Sequence, residues 1–138
     1  MIIIKIYSQD MYVASEVSMK HAKSIASLLK VKDTELFFVG SEGTLIAEGV
    51  DQVSWFTYLE VSLPESKKPM KDELNVLLHD IFTNYGVHLM IKYDFYREEN
   101  VVMMLNPDFK VFNQTMVDVI SNDNYYLDDE DEVENWDE

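Results

Sequence analysis

The stretch Val53-Ser54-Trp55-Phe56-Thr57-Tyr58-Leu59-Glu60-Val61-Ser62-Leu63 alternates without a break. Successive side chains of a strand point to opposite faces, so Val53, Trp55, Thr57, Leu59, Val61 and Leu63 share one face and Ser54, Phe56, Tyr58, Glu60 and Ser62 the other. Pro64 and Pro69 end the strand. Beyond them Met70, Leu74, Leu77, Leu78, Ile81 and Tyr85 recur at the three- and four-residue spacing that makes one apolar stripe only on a helix. Gly86 stands where a helix C-terminus favours glycine. Residues 87–97 then alternate again, with Val87, Leu89, Ile91, Tyr93 and Phe95 opposite His88, Met90, Lys92, Asp94 and Tyr96.

Towards the N-terminus the same order appears once more. Residues 1–8 place Ile2, Ile4 and Ile6 against Ile3, Lys5 and Tyr7, and β-branched residues on both faces predict a central strand covered on two sides. In 15–31, Val17, Ala22, Ile25, Ala26, Leu28 and Leu29 lie at helical spacing opposite Lys20, Lys23 and Lys30, with Ser15 placed to cap the first turn. Residues 35–39 read as a short strand ending in a Gly40-Ser41-Glu42-Gly43 turn, and 44–47 as its continuation or partner. Towards the C-terminus, Arg97-Glu98-Glu99-Asn100 can turn the chain into 101–105 as a hairpin, and 109–120 fits a strand or a helix and is read as a helix. The sum is an α+β fold of two β-α-β halves: a mixed four-stranded sheet with both helices on one face. A ferredoxin-like sheet shares this element order and is the alternative.

Length and charge set the boundaries. A chain of 138 residues has room for one domain, expected at 1–120. Of the net charge of −15, residues 1–120 carry −6 from 11 basic and 17 acidic groups, while 121–138 carry 9 acidic and no basic groups. A run such as Asp128-Asp129-Glu130-Asp131-Glu132 repels itself and buries almost nothing, so 121–138 is expected to be a disordered acidic tail able to dock on a basic protein partner. Cysteine is absent, which removes disulfides, thiolate nucleophiles and cysteine metal sites. The apolar run at residues 1–6 is too short for a signal peptide and none reaches membrane-helix length, so a cytoplasmic protein with no membrane contact is expected. Nucleic-acid binding needs clustered basic residues, and the one dense group is Lys67, Lys68 and Lys71 at a helix start.

Chemistry-bearing patterns are sparse. His21, His79 and His88 fall in the first helix, the second helix and a strand, with no spacing that puts two ligands on one face, so no metal or cofactor is expected. Gly40-Ser41-Glu42-Gly43 has neither the glycine spacing of a nucleophile elbow nor the Lys-Ser or Lys-Thr of a phosphate loop. Asp72-Glu73 and Glu98-Glu99 are adjacent acids without a pocket to separate their pKa values. Trp55, Phe56, Tyr58, Tyr93, Phe95 and Tyr96 would share two strands of one sheet, as a core or a subunit interface. No catalytic residue is assigned from these patterns.

The strand at residues 1–7, the run Leu28-Leu29-Lys30-Val31-Lys32-Asp33, the strand at 56–61 and the run Phe95-Tyr96-Arg97-Glu98-Glu99-Asn100 together resemble the tautomerase superfamily, or macrophage migration inhibitory factor-like proteins, and within it an uncharacterised bacterial branch. The resemblance covers residues 1–105. It implies a homo-oligomer, typically a trimer of β-α-β subunits whose strand edges pair between neighbours. Catalytic members use an N-terminal proline as general base. Position 2 here is Ile2, a bulky residue expected to leave Met1 in place, so no proline-based tautomerase activity is expected. The favoured role is binding or assembly rather than catalysis. The alternatives are a small-molecule binder or isomerase using an inter-subunit pocket near Met1, and a ferredoxin-like regulatory domain.

Overall fold

The computed structural model describes residues 1–109. In chain order the elements are β1 (Ile2–Ser8), α1 (Tyr12–Leu29), β2 (Leu36–Glu42), β3 (Ile46–Ala47), β4 (Val50–Asp51), β5 (Phe56–Pro64), α2 (Lys71–Phe82) and β6 (His88–Tyr96). Short 3-10 turns occupy Asp33–Glu35, Glu65–Met70 and Glu98–Asn100. All belong to a compact unit, Met1–Val102. A second unit starts at Met103, and in its described part the Asp108 amide donates to Asn106 Oδ1 at 2.9 Å and the Phe109 amide to the Asn106 carbonyl at 3.1 Å. The remainder of the helix expected at 109–120 and the acidic tail at 121–138 lie outside the described residues.

The main sheet has four strands in the order β2-β1-β5-β6. β1 pairs parallel with β2 from Ile2↔Leu36 to Ser8↔Glu42, and antiparallel with β5 from Ile3↔Ser62 to Tyr7↔Tyr58. β5 pairs parallel with β6 from Phe56↔His88 to Pro64↔Tyr96. Each helix thus connects two directly adjacent parallel strands. The ferredoxin-like arrangement instead splits each parallel pair with an inserted strand, so that alternative is set aside.

Both helices cover one face. Val17, Ile25 and Leu29 of α1 and Leu74, Leu78 and Phe82 of α2 are buried against Ile2, Ile4 and Ile6 of β1 and Leu59, Val61 and Leu63 of β5. The expectation of a first strand covered on both sides is corrected for the described residues: Ile3, Lys5 and Tyr7 are half-buried on a face that neither α1 nor α2 covers. One row of isoleucines meets the core and the other lines an open sheet face.

Other local expectations are corrected for identifiable reasons. α1 starts at Tyr12, before Ser15, because Asp10 serves its first turn: the Tyr12 amide donates to Asp10 Oδ1 at 2.9 Å and the Val13 amide to the Asp10 carbonyl at 3.1 Å. Gly40, Ser41 and Glu42 continue β2 rather than turn. A Cβ on Gly40 would stand 2.9 Å from the Met11 carbonyl oxygen and 3.0 Å from the Ala14 Cβ, so glycine there lets α1 approach the strand. Residues 44–47 do not join β2; β3 pairs with β4 through Glu48 and Gly49, both at positive φ (53° and 77°), as a tight hairpin turn requires. α2 ends at Phe82, and Gly86 is not its left-handed cap but lies against Thr57, where a Cβ would come within 2.9 Å of Oγ1. The hairpin expected at 97–105 is replaced by the 3-10 turn Glu98–Asn100, and 101–105 form no strand.

Candidate functional site

Strand direction decides which residues meet. β1 and β2 start at the edge of the sheet where β5 and β6 finish, so the Met1 end collects the first residues of two strands and the last of two others. Ile3, Ser62 and Asp94 form one register row across the open face there. The chain leaving β6 turns at Glu98–Asn100 and lines the same end, as does Glu65 after β5. Together they bound a cleft of about 470 Å³ lined by Ile3, Ser62, Glu65, Asp94, Phe95, Tyr96, Arg97, Asn100 and Val101. A smaller, adjoining depression shares Glu65, Tyr96 and Arg97 and adds Ser66, Glu98 and Glu99.

Tyr96 anchors this end. The residue is 9% exposed, and its hydroxyl donates to the Met1 carbonyl, tying the last residue of β6 to the residue before β1. Burial, followed by the Glu98 and Asp94 carboxylates, pushes the Tyr96 hydroxyl pKa above its ordinary value, so it remains a neutral donor. The Ser66 hydroxyl donates to Glu98 Oε1 at 3.1 Å and joins the turns that follow β5 and β6. Arg97 is the only arginine of the chain, is exposed, and among the described residues forms no ion pair; the one pair there is Lys20–Glu16 at 2.5 Å. A guanidinium offers five donors in a fixed fork suited to a carboxylate.

The candidates singled out from the sequence are scattered. His21 is half-buried in α1, His79 is exposed on α2, and His88 opens β6 with its ring against Phe56 at 4.9 Å, at the end of the sheet away from Met1. Among the described residues no group of three or more histidine, aspartate and glutamate side chains could hold a metal ion. Asp72 and Glu73 sit in the first turn of α2. The aromatics do lie on or beside β5 and β6, yet they divide between faces. Tyr58 stacks on Tyr7 across the open face at 5.3 Å, whereas Tyr93 and Phe95 stack at 5.6 Å on the helix side. Trp55 is exposed before β5 begins. Lys68 and Lys71 stand over the Phe95 and Tyr93 rings at 5.4 and 5.5 Å, so this basic group spends part of its charge on aromatic faces. Tyr93 donates to Asn75 Oδ1 at 2.5 Å, and burial together with the Asp72 charge pushes its pKa up to about 12.

The fold is similar to that of several solved structures. A domain of unknown function (DUF1904) from Sebaldella termitidis superposes with a TM-score of 0.65 over 75% of this chain and 95% of its own, at 12% identity. N1, a member of the cis-3-chloroacrylic acid dehalogenase family, gives 0.57 over 73% of this chain and 79% of its own, at 11% identity. A macrophage migration inhibitory factor homologue from Prochlorococcus marinus gives 0.54 over 69% and 89%, at 12% identity. The chain has a tautomerase-like fold. No family model and no curated protein matches the sequence.

Within the tautomerase-like fold, the cleft was not legible from sequence spacing. Ser62 and Asp94 are 32 positions apart and become neighbours only through strand register. The one signal was compositional, a sole arginine directly after an alternating strand.

Proposed function

We propose that this chain is a homo-oligomeric binding protein on a tautomerase-like fold, working without proline-based catalysis. The observation that carries the reading is the sheet face that, among the described residues, no helix covers. It presents Ile3, Tyr7, Phe37, Val39, Phe56, Tyr58 and Met90, and its charges balance, with Lys5 and Lys92 against Glu60 and Asp94. On a chain of net charge −15, a neutral, aromatic-rich face is the surface most able to meet a second copy without repulsion. We take the assembly to be a trimer, as the resemblance to macrophage migration inhibitory factor-like proteins implies, with this face turned inward and the edges of β2 and β6 meeting neighbours.

The reading without proline-based catalysis is supported by the sequence and the start of β1. Ile2 is fully buried and registered with Leu36, and the chain's three prolines, Pro64, Pro69 and Pro107, hold their nitrogens in amides that are not basic. We place the protein in the cytosol, in keeping with its lack of cysteine.

Native mass spectrometry and an enol-keto assay test the proposal together. The expected result is an assembly at three times 16.1 kDa, about 48 kDa, with no turnover of phenylpyruvate. A monomer removes the assembly reading, and phenylpyruvate turnover by the purified protein removes the binding reading.

A further inference from the structure

The side chains of the cleft at the Met1 end combine both signs of charge on one concave surface. Its floor is the row Ile3, Ser62 and Asp94, and Arg97, Asn100 and Glu65 surround it. Among the described residues, none of the five polar side chains hydrogen-bonds or ion-pairs with another. One cation and two carboxylates therefore share a single concave surface without neutralising one another, and both donors and acceptors stay unspent. A ligand that is only an anion gains Arg97 but meets Asp94 and Glu65. One that is only a cation gains the carboxylates and meets Arg97. A molecule carrying both charges close together satisfies all three groups.

We propose that the cleft binds a small zwitterion, an α-amino acid with an apolar side chain. Its carboxylate engages Arg97 and Asn100, its ammonium lies between Asp94 and Glu65, and its side chain rests on Ile3 and Val101. The volume of about 470 Å³ falls in the range of small-molecule sites.

Isothermal titration of the full chain at pH 7 with L-leucine, 4-methylpentanoate and 3-methylbutylamine compares the zwitterion with each half of its charge on the same carbon skeleton. The expected result is saturable leucine binding, with each analogue weaker by about tenfold or more, since each loses a charge-assisted contact. Arg97→Gln should weaken leucine by about tenfold or more, and Asp94→Asn likewise, in variants whose circular dichroism matches the parent because both side chains are exposed. If Asp94→Asn fails to fold, Glu65→Gln takes its place with the same expected loss. Absence of saturable leucine binding, or a loss smaller than tenfold for an analogue or a folded variant, overturns the proposal. A monomeric mass or phenylpyruvate turnover would instead remove the proposed function and leave a leucine result standing.

Discussion

Tyr96 links the end of the last sheet strand to the start of the first through one hydroxyl, and its place at the cleft makes that hydroxyl a residue-scale test of the site's geometry. Tyr96→Phe keeps the ring and leaves the Met1 carbonyl without its partner, so stability should fall by about 1 kcal/mol, read as a lower urea midpoint with an unchanged slope. Tyr93 offers a second test, through pH. Its folded pKa of about 12 exceeds the unfolded value of about 10, so the folded state binds more protons between the two. Its contribution is complete below about pH 10 and is lost as pH rises towards about 12. Tyr58, Tyr85 and Tyr96 are shifted in the same direction. Tyr93→Phe should therefore flatten, without abolishing, the fall of the thermal midpoint across that window, and an unchanged slope would contradict the assignment. Neither tyrosine role was legible in the sequence, where both were members of an aromatic group. Alternation assigns a residue to a face, but Tyr96 departs from its strand's pattern, being buried while His88, Met90, Lys92 and Asp94 of the same parity are exposed.

At the scale of elements, what could be read depended on length. β5, α2 and β6 span 9, 12 and 9 residues, enough for period 2 or 3.6 to declare itself, and they lie close to their expected places. β3 and β4 have two residues each, too few for any period, and they exist through turn geometry at Glu48 and Gly49. The expected β2 stops at Val39 because glycine signals a turn, while Gly40 answers a close approach from α1 that no local pattern encodes. The two faces of the sheet now predict opposite outcomes for substitution. Leu59→Ala on the helix side empties a fully buried position and should cost about 2 to 5 kcal/mol of stability in chemical denaturation. Met90→Asp on the open face alters an exposed side chain and should change single-chain stability by no more than about 0.5 kcal/mol. The same charge placed beside Tyr58 should abolish the proposed assembly, giving a folded monomer in sedimentation velocity. Retention of the oligomer by Met90→Asp would rule out the open face as the contact.

For the whole molecule, the proposed assembly sets the neutral open face against a repulsive net charge. Copies of a chain at −15 repel one another wherever they approach within a Debye length, about 10 Å at 0.1 M salt and about 30 Å at 0.01 M. The open face is charge-neutral, so salt should weaken the long-range repulsion far more than it weakens the contact itself. Added salt is thus expected to tighten the assembly, the reverse of what an interface built on ion pairs would show. Residues 121–138 supply nine of the acidic groups, so a chain ending at residue 120 should assemble at lower concentration in 0.01 M salt and lose most of its salt dependence. Sedimentation equilibrium of both chains across a salt series measures this directly. Tighter assembly with falling salt would mean that complementary charges hold the copies together, and the neutral sheet face could not then be the principal contact.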